Sequence, residues 1–245
     1  MKKNLKYILF LLFFGLIGGY FTALYQLQML DEATKSTLID QLGSLDLFIP
    51  VYIAQTVGYA LFGGLVGKFF AKKIGLWHTP SLETKGVISV ISVSIFGGCA
   101  LILSDILFFG NFSEVIRDSY NTEPTVEYFI ASVTYGGVVE ELMLRLFFMS
   151  AIAFALKLLS RRADVTDGQL IMANIISALI FAAGHLPATA MTLGLTPMII
   201  FRCFLLNGGV GLLFGRLYRK RGIEYAMLAH AGCHILSKAI WFFLI

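Results

Sequence analysis

Three charged side chains stand close together in an otherwise apolar segment: Glu140, Glu141 and Arg145. A charge facing lipid costs about 2.5 to 3.5 kcal/mol, so these groups are expected to face a polar interior. Glu141 and Arg145 are four residues apart in the acid-first order, which predicts an ion pair along one helix face. Glu140 is turned about 100° from Glu141 and has no basic residue three or four positions away. It is the carboxylate left free for chemistry.

Histidines occur in the same kind of apolar segment. His185 follows an apolar run, while His230 and His234 are four residues apart in another and therefore share one helix face. The fourth histidine, His78, lies in a basic connector and is expected at the surface. One histidine in a membrane helix is usually a packing hydrogen bonder. Three of them together with a free carboxylate instead predict a functional site.

A carboxylate and imidazoles in a cavity are suited to the hydrolysis of a peptide bond. One group must take a proton from water, and another must donate a hydrogen bond to the oxyanion that forms. Alternatively, Glu140, His185, His230 and His234 could ligate a single zinc ion, which would activate a bound water. The residue types leave both routes open, and a buried charge network that only fixes helix packing is the non-catalytic alternative.

Some chemistries lose support because their motifs are missing from the sequence. There is no His-Glu-x-x-His helix, no Gly-x-Ser-x-Gly turn and no glycine-rich phosphate loop. Acyl-serine chemistry and nucleotide-driven transport are therefore not favoured, and no nucleotide partner is expected.

The elements that must position these residues are membrane helices. Of the 245 residues, 58% are hydrophobic and only 14% are charged, and the mean hydropathy is +0.80. These values exclude a soluble or disordered chain and predict an all-α, polytopic transmembrane helical bundle. The three cysteines lie in apolar runs and are interpreted as packing residues. The net charge of +4 follows from the placement of the basic residues, so no nucleic acid partner is expected.

About seven spans, with six to eight as the range, are separated by charged connectors. Their predicted limits are 7–30, 47–71, 86–109, 125–156, 169–184, 194–218 and 223–245. The fourth run would be about 48 Å long as a helix, more than one crossing needs. Gly136 and Gly137 lie in its middle, so a kink or break is expected there. Glycine spacing at Gly15 and Gly19, and at Gly211 and Gly215, indicates close helix packing or ordinary glycine usage in membranes.

The basic residues concentrate in alternate connectors, which predicts a cytoplasmic N-terminus. Of the 19 lysines and arginines, only Lys35, Arg117 and Lys238 fall on the opposite side, and Arg145 and Arg202 lie within spans. The chain is interpreted as one membrane domain, 1–245, in which the three spans of 1–124 carry no motif and 125–245 carries them all. Helix length counted from the cytoplasmic ends puts Glu140 and His185 about 24 Å deep but His230 only about 12 Å. A common site therefore requires tilt, a broken fourth helix or different span boundaries.

The ordered elements Glu140-Glu141-x-x-x-Arg145, Phe181-x-x-x-His185 and His230-x-x-x-His234 resemble the CPBP family. This family of CAAX proteases and bacteriocin-processing proteins, also called ABI, includes the type II CAAX prenyl endopeptidases. The resemblance covers about 125–245. It implies an intramembrane endopeptidase in which Glu140 is the general base, His185 is its partner and His230 belongs to the oxyanion-stabilising group. It also makes Glu141 and Arg145 the supporting ion pair.

One position departs from the family pattern. The last residue of the final motif is usually Asn in the family, and here it is His234. A histidine can still donate a hydrogen bond, but a third imidazole also favours a metal. Family members have been described both as metalloproteases and as metal-independent glutamate proteases. The expected cofactor is accordingly either none or a single divalent metal such as zinc.

The resemblance leaves the substrate open. The main hypothesis is an integral membrane endopeptidase, in a bacterial plasma membrane by composition, that cuts a small peptide or a membrane-anchored, CAAX-like protein. The alternative is a non-catalytic protein for bacteriocin self-immunity or regulation, which would tolerate Glu140→Gln but not packing changes at Gly211 or Gly215. A small proton-coupled carrier is a third hypothesis, disfavoured because the sequence has no detectable inverted repeat. The expected partners are the lipid bilayer and a peptide or membrane-protein substrate.

Overall fold

Helices make up nearly all of the chain that the structure describes. The computed structural model describes residues 2–78 and 83–244. Its helices are α1 (Lys2–Met29), α2 (Glu32–Leu42), α3 (Phe48–Lys73), α4 (Thr84–Phe112), α5 (Glu114–Asp118), α6 (Val126–Leu159), α7 (Asp167–Gly184), α8 (Leu186–Leu193), α9 (Pro197–Arg221) and α10 (Ile223–Leu244). The predicted all-α class is confirmed.

Six stretches of helix among the described residues are long and apolar enough to cross a membrane, close to the seven that the sequence predicts. They are Asn4–Met29, Leu45–Lys73, Thr84–Phe112, Val126–Leu159, Asp167–Leu193 and Pro197–Arg221. Helix α10 (Ile223–Leu244), the predicted seventh span, is not among them. The protein is therefore an integral, multi-pass membrane protein. Ile245, the predicted end of the last span, lies outside the described residues, and the cytoplasmic N-terminus stays a prediction.

The fourth span is continuous but not a regular α-helix. Thr125 caps its start, where the hydroxyl accepts a hydrogen bond from the backbone N–H of Tyr128 at 3.2 Å. The helix then widens into two π-helical stretches, Ser132–Glu140 and Leu142–Met149. The break expected at Gly136 and Gly137 is therefore absent, and both glycines lie in the first π-helical stretch, while the kink stays a prediction. Such wide turns are uncommon and frequently occur at functional sites.

The fifth span continues beyond the residue at which the sequence pattern ends it. A capping box fixes its start, since the Thr166 hydroxyl accepts from the backbone of Gln169 while the Gln169 side chain accepts from the backbone of Thr166. Helix α7 ends at Gly184, yet α8 follows at once and the span runs to Leu193. The predicted end at Gly184 is therefore too early. His185 therefore lies inside the span and not at its end.

Helix α10 lies against the rest of the bundle and brings its polar side chains inside. It packs mainly against α4, the first π-helical stretch of α6, and α9. Gly222, with φ of +119°, allows the sharp turn from α9 into α10. Lys238 is only 6% exposed, so it is not a solvated charge, and the side of the membrane on which it lies stays a prediction. Its long side chain points into the bundle instead of reaching water beyond the helix end.

Helices α1 and α3 form a close pair, and both contact α6. A Cβ at Gly15 would lie 2.9 Å from the Val57 Cα, and one at Gly19 would lie 2.9 Å from the Ile53 Cα. Only glycine permits backbones to approach so closely. The packing interpretation of this glycine pair is therefore confirmed.

Candidate active site

A buried acid connects the fourth span to the last helix. Glu141 is 0% exposed, and its Oε1 lies 3.4 Å from Arg145 Nη1 on the next helical turn. The same oxygen accepts a hydrogen bond from Nδ1 of His230 at 2.9 Å. Glu141 thus forms an ion pair within its own helix and orients an imidazole of α10.

Arg145 is held from three sides. Its Nη2 donates to the Gly211 carbonyl at 3.0 Å, and its guanidinium lies 4.5 Å from the centre of the Phe181 ring and 5.6 Å from that of Phe214. A Cβ at Gly211 would come within 2.8 Å of Nη2, so this glycine gives the guanidinium its space. Arg145 therefore joins α6, α7 and α9 at one point.

His185 is fixed by the motif to which it belongs. Its Nδ1 lies 2.9 Å from the Phe181 carbonyl, one helical turn earlier, and the two rings meet edge to face with centroids 4.6 Å apart. A carbonyl can only accept, so Nδ1 carries the hydrogen and Nε2 of the neutral ring has the lone pair. The spacing of the Phe-x-x-x-His element therefore sets the tautomer of its histidine.

The two histidines of α10 are stacked. The His230 ring lies between Phe214, 4.4 Å away, and His234, 4.9 Å away. Because the Nδ1 of His230 donates to Glu141, its Nε2 donates a second hydrogen bond only as the imidazolium. The Nδ1 of His234 instead faces Nζ of Lys238 at 3.5 Å.

The three histidines line one small cavity. The space in which the centre of a water molecule can lie is about 30 Å³. This is room for one or two water molecules. Phe181, Phe214 and Asn207 are also part of its wall. Asn207 is a polar group that the sequence patterns do not single out; its Nδ2 donates to Cys203 Sγ at 3.4 Å, and its position within an apolar span was the available signal.

Glu140 lies on the other side of His234 from Lys238. A Cβ placed on Gly136 would be 2.9 Å from His234 Nε2 and 3.8 Å from Glu140 Oε2, so both atoms approach this glycine. The Glu140 side chain is partly exposed, and it makes no hydrogen bond or ion pair with the residues of 2–78 and 83–244. It is free to bind a water molecule.

The same donors do not form a metal site in this arrangement. Within the described part of the chain, no three His, Cys, Asp or Glu side chains converge closely enough to hold a metal ion. The Nδ1 atoms of His185 and His230 are bonded to oxygen acceptors, which leaves their Nε2 atoms free. The metal content of the protein therefore stays a prediction.

A second buried cluster has no counterpart in the motifs. Asp105 is 1% exposed, and its carboxylate accepts hydrogen bonds from Arg202 Nε at 2.5 Å, from Arg202 Nη2, and from the Tyr120 hydroxyl at 2.6 Å. It joins α4 to α9 and to the segment before α6. An aspartate inside an apolar run was the signal that could have revealed it.

The comparisons with known proteins agree with the motif-bearing half of this geometry. Residues 122–236 match the family model described as type II CAAX prenyl endopeptidase Rce1-like. No curated protein and no solved structure matches the chain significantly. The matched segment contains Glu140, Glu141, Arg145 and all three cavity histidines. The resemblance is thus confirmed over the matched segment, which is similar to the Rce1-like type II CAAX prenyl endopeptidases.

Proposed function

We propose that the protein is a glutamate-dependent intramembrane endopeptidase that hydrolyses a peptide bond in a small peptide or a membrane-anchored, CAAX-like protein. The observation that carries the proposal is the approach of an unpaired carboxylate, Glu140, to His234, one of three histidines that line a cavity of water size. The match to a protease family supports the same reaction class.

In the first step, Glu140 takes a proton from a water molecule while the water oxygen attacks the carbonyl carbon of the scissile bond. The Nε2 lone pair of His185 accepts the second hydrogen of that water and orients it. The tetrahedral intermediate carries a negative oxygen, to which Nε2–H of His234 donates a hydrogen bond. His230, held by Glu141, supports this group through ring stacking and, as an imidazolium, as a second donor.

In the second step, the carbon–nitrogen bond breaks and the protonated Glu140 returns its proton to the leaving amine. One peptide bond and one water give a carboxylate and an amine, and Glu140 is regenerated. Every step uses side chains of this chain alone. The partly exposed position of Glu140 and the apolar surroundings of the histidines suit a substrate that enters from lipid.

The proposal is tested by quantitative mass spectrometry of membrane-bound and released peptides from cells that carry the wild-type protein or Glu140→Gln at matched expression. Glu127→Gln, an acid-to-amide change at the start of the same span, is the control. We expect a precursor to accumulate only with Glu140→Gln, which would also identify the substrate. Identical peptide profiles in all three strains would overturn the proposal. They would favour the alternative, a non-catalytic immunity or regulatory protein.

A further inference from the structure

Lys238 is an unusual cation because it is buried without an acidic partner. It is 6% exposed, and it forms no salt bridge with the described residues. Its Nζ lies 4.1 Å from the centre of the Tyr128 ring and 3.5 Å from Nδ1 of His234. Burial of a lysine ammonium costs free energy because it loses its hydration. Other groups must therefore stabilise Lys238 in this position.

The Tyr128 ring lies against Lys238 and is itself held by two other aromatic rings. Tyr128 stacks on Tyr25 with ring centroids 4.5 Å apart, and Trp241 meets the Tyr128 ring edge to face at 6.4 Å. The face of an aromatic ring attracts an ammonium group. Helix α1 and the end of α10 therefore fix the ring, at the start of α6, that contacts the Lys238 ammonium beside His234.

The contact with Lys238 determines where His234 carries its hydrogen. An ammonium has three donors and no acceptor, so Nδ1 of His234 must accept. The hydrogen of the neutral ring is then on Nε2, the atom that approaches Gly136 and Glu140. His185 and His230 are in the opposite state, because the Nδ1 of each donates to an oxygen. Among the three cavity histidines, only His234 presents an N–H from its neutral ring to the site.

We infer that Lys238 is a positioning residue: it fixes the tautomer of His234 so that Nε2–H is available to the oxyanion. The inference rests on the proposed endopeptidase function for its catalytic consequence, but its physical core is the Lys238–His234 contact. This contact lies in the final motif where the chain departs from Asn, a residue whose side-chain amide donates without a tautomer to choose. A histidine at that position needs a second residue to make the choice.

The contact is tested by nitrogen NMR of the full-length protein in nanodiscs with ¹⁵N-labelled histidine. The chain has only 4 histidines, so substitution of each one by Gln assigns the imidazole signals. We expect a protonated Nε2 and an unprotonated Nδ1 for His234, and a mixture of both tautomers in Lys238→Met. Lys238→Arg keeps a cation and should preserve the wild-type pattern. An unchanged His234 signal in Lys238→Met would overturn the inference, whatever the activity.

The catalytic consequence is tested by a double-mutant cycle on the precursor peptide that the Glu140→Gln comparison identifies. Lys238→Met should lower kcat about tenfold, because the competent tautomer is less populated, and leave KM unchanged. In a His234→Asn background the same substitution should have no further effect on kcat. An equal loss of kcat in both backgrounds would mean that Lys238 only supports the fold, and would overturn the inference.

The two proposals fail separately. If Glu140→Gln retains full activity, the endopeptidase mechanism is wrong while the NMR result still decides the Lys238–His234 contact. If Glu140→Gln is inactive and the His234 tautomer does not depend on Lys238, the mechanism stands and the positioning role is wrong.

Discussion

Two buried acid–arginine pairs in this protein use their hydrogen-bonding capacity in opposite ways. In the Asp105 cluster (Asp105, Arg202 and Tyr120), both carboxylate oxygens accept, and the arginine donates through two nitrogens. In the Glu141 cluster (Glu141, Arg145 and His230), a single carboxylate oxygen serves both the arginine and the histidine. Glu141 Oε2 and Arg145 Nε and Nη1 have no hydrogen-bond partner among the described residues.

Under the proposed function, the difference separates a structural pair from one that adjoins the reacting groups. A closed pair in which both carboxylate oxygens accept hydrogen bonds joins helices and offers nothing to a substrate. An open pair carries a desolvation cost that the fold does not recover. Such local inefficiency is expected where a site must bind something else. The Glu141 cluster adjoins the histidine cavity, whereas Asp105, Arg202 and Tyr120 are not among the residues that line it.

The largest expected effect is the loss of turnover in Glu140→Gln. Removal of the general base should lower kcat by about 10² to 10⁴, while the midpoint of unfolding in detergent stays at the wild-type value. Peptide cleavage by purified protein measures the first quantity, and SDS titration measures the second. Glu127→Gln is the control in both. Comparable turnover in the two variants would contradict the assignment of the base.

Asp105→Ala is expected to lower the stability of the protein and to leave kcat unchanged. The substitution leaves Arg202 largely buried without its acid, which should lower the free energy of unfolding by about 3 kcal/mol. The folded fraction should keep the wild-type kcat, because the Asp105 cluster takes no part in the reaction. SDS titration combined with an active-site count checks both. A variant of normal stability and reduced kcat would erase the distinction between the two clusters.

A smaller effect on turnover is expected in Gly136→Ala. The added methyl group would crowd His234 Nε2 and Glu140, so kcat should fall by about tenfold through misplacement of the reacting groups. Gly58→Ala on α3 is the matched control, since nothing lies within 4 Å of a Cβ there. If the two alanine variants behave alike in the cleavage assay, the space at Gly136 is not part of the site.

The smallest expected effect is that of Tyr120→Phe. It removes one of the hydrogen bonds to Asp105 and should lower the free energy of unfolding by about 1 kcal/mol. Because Arg202 still binds both carboxylate oxygens, the cluster should remain closed. If the double variant Tyr120→Phe/Gly136→Ala loses the sum of the free energies of unfolding that the two single variants lose, the two regions are independent. Strong coupling between them would argue for one network instead of two.

The spacing of residues along a single helix was enough to predict contacts within that helix. Glu141 and Arg145 are four residues apart and lie at ion-pair distance, and His230 and His234 share a face with stacked rings. Such patterns are readable because the geometry of one helical turn is fixed. The catalytic roles of Glu140, His185, His230 and His234 remain predictions.

Contacts between distant segments could not be read from spacing. Asp105 and Arg202 are 97 positions apart, and Glu141 and His230 are 89 apart, so helix packing alone determines these pairs. Lys238 shows the limit of charge counting. The rule that orients a membrane protein depends on connector charges, and it does not distinguish a lysine that reaches water from one that turns inward to a tyrosine ring.

The site is sensitive to the deletion of one residue from the π-helical stretch Ser132–Glu140. Deletion of one residue in this stretch, without compensation by the helix, would bring Glu141 to the place that Glu140 now occupies. A single lost codon would thus exchange the free carboxylate for the paired one without changing the composition of the motif. Descendants of such an event would keep Glu140, Glu141 and Arg145 in their sequences and yet be inactive.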